Sequence, residues 1–248
     1  MILLCDVGNT HAHIGLASRR RVVASLDIQT RELEESRALG AIAAFVIGHP
    51  IDGTCFCSVV PAAVPAVQSL LSLFGPIPPL QLSSETIRGV GIRYPKPQTI
   101  GQDRLANAVA VRHLFGAPAV VVDFGTAVTF DVVDSAGNYI GGVIAPGLAA
   151  MTDYLHEKTA LLPRIKIREP RRVIGQTTEE AMLAGAVFGY RGLVREILDQ
   201  LTNSIGEPLP VVATGGYASL IARKMPEINA VRPNLTLEGL RLTWLAHQ

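Results

Sequence analysis

Leu3-Leu4-Cys5-Asp6-Val7-Gly8-Asn9-Thr10 and Val120-Val121-Val122-Asp123-Phe124-Gly125-Thr126-Ala127 decide the fold. In each, an apolar run too short for a helix ends in Asp-x-Gly and an amide or hydroxyl residue. A second β-rich run follows, over 13–17 and 128–133. The pattern reads as strand, tight turn, strand. Glycine lets the backbone turn with its N–H groups facing outward, and the aspartate at the strand end can reach a metal ion or a water in the same concavity. A single Asp-x-Gly is most often a turn-capping aspartate. Two copies, at positions 6 and 123 of 248, point instead to a duplicated α/β domain with a phosphate site between its halves.

Composition narrows the class. The chain is 48% hydrophobic with a mean hydropathy of +0.32, yet its longest apolar run, 41–47, falls far short of the roughly 18 to 20 residues a membrane span needs. Met1-Ile2-Leu3-Leu4 lacks a basic leader and enters the Asp6 turn at once, so it reads as a first strand, and the expectation is a cytoplasmic protein with no membrane partner. Net charge is +1, with basic clusters only at Arg19-Arg20-Arg21 and Arg171-Arg172. Without aromatic interleaving or a broad basic face these read as a hairpin turn and a loop, and no nucleic-acid partner is expected. Cys5, Cys55 and Cys57 lie in strand-like runs. They read as buried thiols of a reducing compartment, because no His or further Cys pair completes a soft-metal site.

Along the chain, a third strand is expected over 21–28 and a helix over 32–46 with acids in its first turn. A buried strand follows over 54–60, then a helix over 62–74 started by Pro61. Three strands, helix, strand, helix is the order of a ribonuclease-H-like unit. A Gly/Pro-rich loop around Tyr94-Pro95-Lys96-Pro97 precedes Gly101-Gln102-Asp103-Arg104, which opens a helix over 105–115. Locally, Asp103 reads equally well as an N-cap beside an exposed Arg104. Gly116-Ala117-Pro118 marks the domain boundary, giving domains 1–116 and 117–248. Beyond it the pattern returns, with a third strand over 139–145 and a helix after Pro146-Gly147. A basic loop over 163–176 is expected to hold a short strand at 164–167. The longest helix, 177–201, begins with Thr177-Thr178-Glu179-Glu180. Its Gly185, Gly189 and Gly192 suggest close packing in the interior or a homodimer seam. A strand over 210–213 runs into Thr214-Gly215-Gly216, and helices over 217–224 and 237–246 close the chain. Gly-Gly at such a turn brings backbone against a ligand or another chain.

Six motifs in order then resemble one family: Asp-Val-Gly-Asn-Thr at 6–10, Gly-Gln-Asp-Arg at 101–104, Asp-Phe-Gly-Thr-Ala at 123–127, Gly-Gly-Val-Ile-Ala-Pro-Gly at 141–147, Ile-Gly-Gln-Thr-Thr-Glu-Glu-Ala-Met at 174–182 and Ala-Thr-Gly-Gly at 213–216. The set resembles type III pantothenate kinase, of the superfamily of actin, the sugar kinases and the heat-shock chaperones. The resemblance implies two ribonuclease-H-like domains with ATP in the cleft between them. It also implies phosphorylation of pantothenate at its primary hydroxyl, and a homodimer that uses K⁺ or NH4⁺.

By the same resemblance Asp6, Val7, Gly8, Asn9, Thr10, His11, Ala12 and His13 form the first ATP phosphate segment, and Thr126 is a second phosphate contact. Asp123 is similar to the monovalent-cation ligand, and Asp103 to the proton acceptor. Tyr94, Gly101, Gln102, Asp103, Arg104 and Thr178 match pantothenate-binding positions. On this reading Asp6 holds Mg²⁺ through water, while Gly8, Asn9, Thr10 and Thr126 donate to phosphate oxygens and Asp103 orients the attacking hydroxyl. Three positions depart from the family pattern: His11-Ala12-His13 replaces polar residues, Gln102 stands for a small alanine, and Val128 stands for a hydroxyl residue. A sugar or acetate kinase would share the duplicated turns, and a non-catalytic regulator would keep the fold. The presence of Asp103 and Asp123 favours the kinase.

Overall fold

The computed structural model describes residues 1–33 and 36–248, which divide into two compact units. The first comprises Met1–Ala117, Ser135–Gly141 and Asn234–Gln248; the second comprises Pro118–Asp134 and Gly142–Pro233.

In the first unit, strands β1 (Ile2–Val7), β2 (His11–Ala17) and β3 (Val22–Gln29) form an antiparallel meander. Helix α1 (Ser36–Phe45) leads to β4 (Gly53–Ser58), which pairs parallel to β1. Helix α2 (Val64–Ser72) then leads to β5 (Leu80–Gln81), completing the order β3-β2-β1-β4-β5. After the short β6 (Gly91–Ile92) comes α3 (Gln102–Phe115). Because side chains alternate along a strand, Leu3, Cys5 and Val7 enter a core with Ile14, Leu16, Phe56, Ile42 and Val67. Ile2, Leu4 and Asp6 point to the other face.

That other face is covered by helices α3 and α7 (Leu235–Leu245), the last element of the chain. Three glycines permit the approach. A Cβ at Gly15 would lie 3.0 Å from Leu237, one at Gly53 would lie 2.5 Å from the Trp244 indole nitrogen, and one at Gly239 would strike the Ala106 carbonyl of α3. A buried hydrogen bond from Thr236 Oγ1 to Asn107 Oδ1 (2.9 Å) joins the two helices. Glu238 accepts from the Val22 N–H (2.7 Å) and from Arg241 Nε (2.5 Å), tying α7 to the β2–β3 hairpin.

The second unit contains β7 (Ala119–Phe124) and β8 (Ala127–Val133), an antiparallel hairpin. The next strand, β9 (Asn138–Pro146), begins in the first unit, where Gly91 and Ile92 of β6 pair with Asn138 and Tyr139, and ends in the second. Helices α4 (Leu148–Lys158) and α5 (Thr178–Ile205) precede β10 (Val211–Thr214), α6 (Ala218–Ala222) and β11 (Ala230–Val231). β10 lies parallel to β7, as β4 does to β1, so β9-β8-β7-β10-β11 repeats the strand order of the first sheet. No helix among the described residues is long and apolar enough to cross a membrane.

Several expectations shift. The helix expected over 32–46 starts at Ser36, after a 3₁₀ turn at Thr30–Glu32; Glu34 and Glu35, two of its expected acids, lie outside the described residues. Pro61 opens a 3₁₀ turn and α2 follows at Val64, with Pro65 in its first turn where a missing N–H is tolerated. The strand expected at 164–167 does not form: this segment between Pro163 and Pro170 finds no partner strand among the described residues. Helix α3 begins at Gln102, so Asp103 sits inside its first turn and is not the N-cap, a place taken by Gly101.

α5 does begin at the expected signature, with Thr177 Oγ1 accepting from Glu180 N (3.2 Å), and it ends at Gly206 in the left-handed region. Its buried Arg191 makes a two-pronged ion pair with Glu169 (2.7 and 3.0 Å) and donates to the Leu220 and Ile221 carbonyls, anchoring the 163–176 loop to α6. Gly185, Gly189 and Gly192 have nothing within 4 Å of where a Cβ would stand, so this glycine edge is not packed within the chain.

The close crossing of α7 on α3 gives a direct test. Gly239→Ala should destabilise the protein by about 1–3 kcal/mol, because the added methyl meets backbone that cannot yield. Urea denaturation monitored by Trp244 fluorescence would show an unchanged midpoint if the two helices do not touch there.

Candidate active site

The first site is built at the carboxyl end of β1. Pairing of β1 with β4 sets Asp6 beside Cys57, whose thiol donates to Asp6 Oδ1 at 3.2 Å. The turn beyond Asp6 is closed by the Gly8 N–H on the His11 carbonyl (3.0 Å). Thr30 holds it from outside, its hydroxyl donating to the Gly8 carbonyl (2.6 Å) and its N–H to the Thr10 carbonyl (3.0 Å). The side chains of Val7 and Ala12 are fully buried in the core, whereas Asn9, Thr10, His11 and His13 are exposed. Within 6–13, therefore, Asp6 and the tip at 9–11 are presented outward, and Val7 and Ala12 supply only backbone. His13 turns to Asp27 on β3, Nδ1 to Oδ1 2.6 Å, so it serves the hairpin.

Helix α3 brings the second set. The Gln102 side-chain carbonyl accepts from the Ser58 N–H (2.9 Å) and from Gln81 (3.4 Å), pinning the start of α3 to the ends of β4 and β5. An alanine could not make that tie, which accounts for the departure noted in the sequence. Asp103 Oδ1 accepts from the Arg104 N–H at 2.8 Å. A Cβ at position 101 would lie 2.5 Å from that same oxygen, so any side chain there would displace the carboxylate. Burial pushes the Asp103 carboxyl above its usual range, and the N–H and charge of Arg104 pull it partly back. The Cys57 thiol is raised too, by burial first and then by the charges of Asp6 and Asp103. Asp6 and Asp103 thus share one neighbourhood, with a protonated Cys57 as donor at its floor.

The Arg104 guanidinium lies 5.8 Å from the centroid of the Tyr139 ring, a cation–π arrangement, and Tyr94 packs tilted against the same ring at 6.2 Å. Gly141, at φ +114, makes room for Tyr94: a Cβ there would stand 3.3 Å from its ring. Arg104 and Tyr94 are therefore gathered in the first unit around the buried Tyr139, with Gly101 and Asp103 beside Arg104 at the start of α3. Sequence reasoning missed Tyr139, Cys57 and Thr30. Tyr139, an aromatic two residues before Gly-Gly, offered the one readable signal.

In the second unit Asp123 is the last residue but one of β7, level with Thr214 on β10. Gly215, at φ +89, comes so close that a Cβ would lie 2.5 Å from Asp123 Oδ1, so the Gly-Gly turn packs on that carboxylate. Thr126 is exposed at the tip of the β7–β8 turn, and Gly147 at the start of α4 packs directly on the Thr126 carbonyl. Tyr190 fixes this corner, donating to the Pro146 carbonyl (3.1 Å) and packing on Phe124. Val128 is wholly buried, so the position cannot offer a hydroxyl to a ligand. Thr178 is exposed at the first turn of α5.

Chemically, an outward turn behind a carboxylate suits a polyanion and its metal ion, and a partly buried carboxylate at a helix start suits a hydroxyl. Among the described residues no three His, Cys, Asp or Glu side chains cluster as an all-protein metal site. That donor set fits Mg²⁺, which is commonly held by one or two carboxylates together with substrate phosphates.

Comparison with known proteins agrees. The family model for type III pantothenate kinase matches residues 2–200. The chain is 48% identical over 242 residues to a type III pantothenate kinase of Akkermansia muciniphila, covering 97% of this chain and 96% of that one. It is 41% identical over 249 residues to one of Methylacidiphilum infernorum, covering 97% and 87%. In fold it resembles a Campylobacter jejuni crystal structure named for the Baf family of transcriptional activators, with a TM-score of 0.64 at 18% identity over 99% and 98% of the two chains. Motifs, geometry and a match across nearly the whole length place this chain in the type III pantothenate kinase family.

Proposed function

We propose a specific division of roles for the reaction of this family, the ATP-dependent phosphorylation of pantothenate to 4'-phosphopantothenate that begins coenzyme A synthesis. The observation that carries it is that Cys57 and Ser58, adjacent on β4, hold the two segments: the Cys57 thiol donates to Asp6, and the Ser58 N–H donates to Gln102, the neighbour of Asp103. One carboxylate lies behind a phosphate-type turn and the other opens a helix beside a cationic, aromatic pocket.

The backbone and side chains of Asn9 and Thr10 donate to phosphate oxygens, and Thr126 is a further phosphate contact. The Gly8 N–H closes the turn, so Gly8 acts by shaping it. Asp6 would hold Mg²⁺, kept in place by the Cys57 thiol. Asp123 would hold K⁺ or NH4⁺ together with nearby carbonyls. When bound, these cations neutralise phosphate charge. Arg104, braced on Tyr139, meets the pantothenate carboxylate, and Tyr94 and Gly101 shape that pocket. Asp103 accepts a hydrogen bond from the primary hydroxyl and aligns it. The hydroxyl oxygen bonds to the γ-phosphorus, the bond from that phosphorus to the bridging oxygen breaks, ADP leaves, and the proton passes to Asp103. In a loose transition state most of the catalysis is such positioning and charge neutralisation.

The proposal also includes a homodimer. A hollow of about 810 Å³ lies between α4 and α5, lined by Met151, Tyr154, Leu155, Met182 and Ala186. Met151, Tyr154 and Leu155 are exposed, beside the open glycine edge of α5. An apolar surface of this kind is what a partner covers.

Purified protein given ATP, Mg²⁺ and pantothenate should yield phosphopantothenate by mass spectrometry, at a higher rate in potassium than in sodium buffer. Folded protein with no product in either would sink the assignment. Asp103→Asn should lower kcat about 10²- to 10⁴-fold. Because burial raises the Asp103 pKa, ionising it opposes folding: its contribution to stability is full below the unfolded carboxylate pKa near 4 and is lost as pH rises through the higher folded value. The variant's melting temperature at pH 8 should therefore equal or exceed the parent's, and a lower one would contradict the burial argument. In sedimentation velocity the parent should run as a dimer and Tyr154→Glu as a monomer.

A further inference from the structure

The fold collects arginines that the sequence scatters. Arg19 and Arg20 on the β2–β3 turn, Arg88 in the loop before β6, Arg112 and His113 in the last turn of α3, and Arg241 on α7 line one hollow of about 660 Å³ in the first unit. Only Arg241 among these has a carboxylate partner within the described residues, Glu238. The other four guanidinium groups face the hollow uncompensated, in a chain whose net charge is only +1.

These side chains are also held. Arg112 donates to the Gly89 carbonyl and packs over Gly137, where no Cβ could fit. Arg88 donates to the Ile87 and Glu85 carbonyls (2.8 and 3.2 Å). Ser18 Oγ accepts from the N–H groups of Arg20 and Arg21 (3.2 Å each), and Arg241 donates to the Arg19 carbonyl (2.6 Å), so the turn is fixed at the rim. The floor is apolar, from Val109, Leu242 and Leu245.

Offsetting helix dipoles explains Arg112 and His113 at the end of α3. It does not explain Arg19, Arg20 and Arg88, which come from a hairpin and a loop. Like charges gathered in one concavity repel unless an anion joins them. We propose that this hollow binds a small phosphorylated molecule, its phosphate held by paired guanidinium groups and its body resting on the apolar floor. The volume falls within the usual range for small-ligand sites, and among the described residues no Phe, Tyr or Trp lines it as a platform for nucleic-acid bases. The site is distinct from the catalytic one: Arg112 stands nine residues along α3 from Asp103, about 14 Å of helix.

The test is calorimetric titration of inorganic pyrophosphate into the parent and into Arg19→Gln/Arg20→Gln and Arg20→Ala/Arg88→Ala, whose altered side chains are exposed and leave the active site intact. The parent should show one binding site more than either variant, or at least tenfold tighter binding, while kcat for pantothenate without pyrophosphate stays equal in all three. Equal stoichiometry and affinity in parent and variants would overturn the proposal. So would binding of a 20-nucleotide single-stranded DNA that the variants lose while pyrophosphate binds all three proteins alike, since that would mark a nucleic-acid surface.

Discussion

The pairing of β1 with β4 is the constraint on which the first unit depends. Strand side chains alternate, so a shift of one residue would send Leu3, Cys5 and Val7 out of their core and turn Asp6 into it. With both faces covered, by α1 and α2 on one side and α3 and α7 on the other, the register has no freedom. The same pairing sets Cys57 against Asp6 and delivers the Ser58 N–H to Gln102, which holds the first turn of α3 and hence Asp103. Asp6 and Asp103 are thus placed by the sheet's hydrogen-bond ladder and by one side-chain amide.

The second unit reaches a similar end by similar means. β7 has the burial pattern of β1, interior throughout except at its aspartate. In both, the aspartate sits one residue from the strand end, where alternation turns it away from the apolar core and the turn that follows exposes it. What differs is the packing behind it. Asp6 has a thiol beside it, while Asp123 is approached by the backbone of Gly215, which no side-chain-bearing residue could bring so near. One arrangement leaves a carboxylate beside an outward turn; the other brings main chain up against a carboxylate. Tyr139 plays a comparable supporting part for Tyr94 and Arg104. Fully buried, it fixes Tyr94 and the Arg104 guanidinium without itself reaching solvent.

Much of this was legible in the residues. The two Asp-x-Gly turns, the order of the longer strands and helices, the Thr177 start of α5 and the six motifs follow from short-range patterns, because hydrophobic period and turn chemistry act within a few residues, whereas the two-residue strands β5, β6 and β11 carry no such pattern. Boundaries were less secure. The helix expected over 105–115 begins three residues sooner, since Gly101 serves as its N-cap and Gln102 is tied to Ser58, a partner 44 residues away. The strand expected at 164–167 does not form, since a strand is stabilised by its neighbours and this segment pairs with none among the described residues.

The sequence by itself determined the chemistry: which carboxylates, hydroxyls and glycines exist, at which turns, and so the family and its reaction. Only the tertiary structure decided what stands beside them. That Cys57 donates to Asp6, that Tyr139 lies under Arg104, that α7 returns to cover the first sheet, and that arginines from four segments meet in one hollow are contacts across long sequence separations. Local propensity carries no term for such pairs. They are set by which apolar faces must be buried together, and the polar groups at the edges of those faces are then brought along.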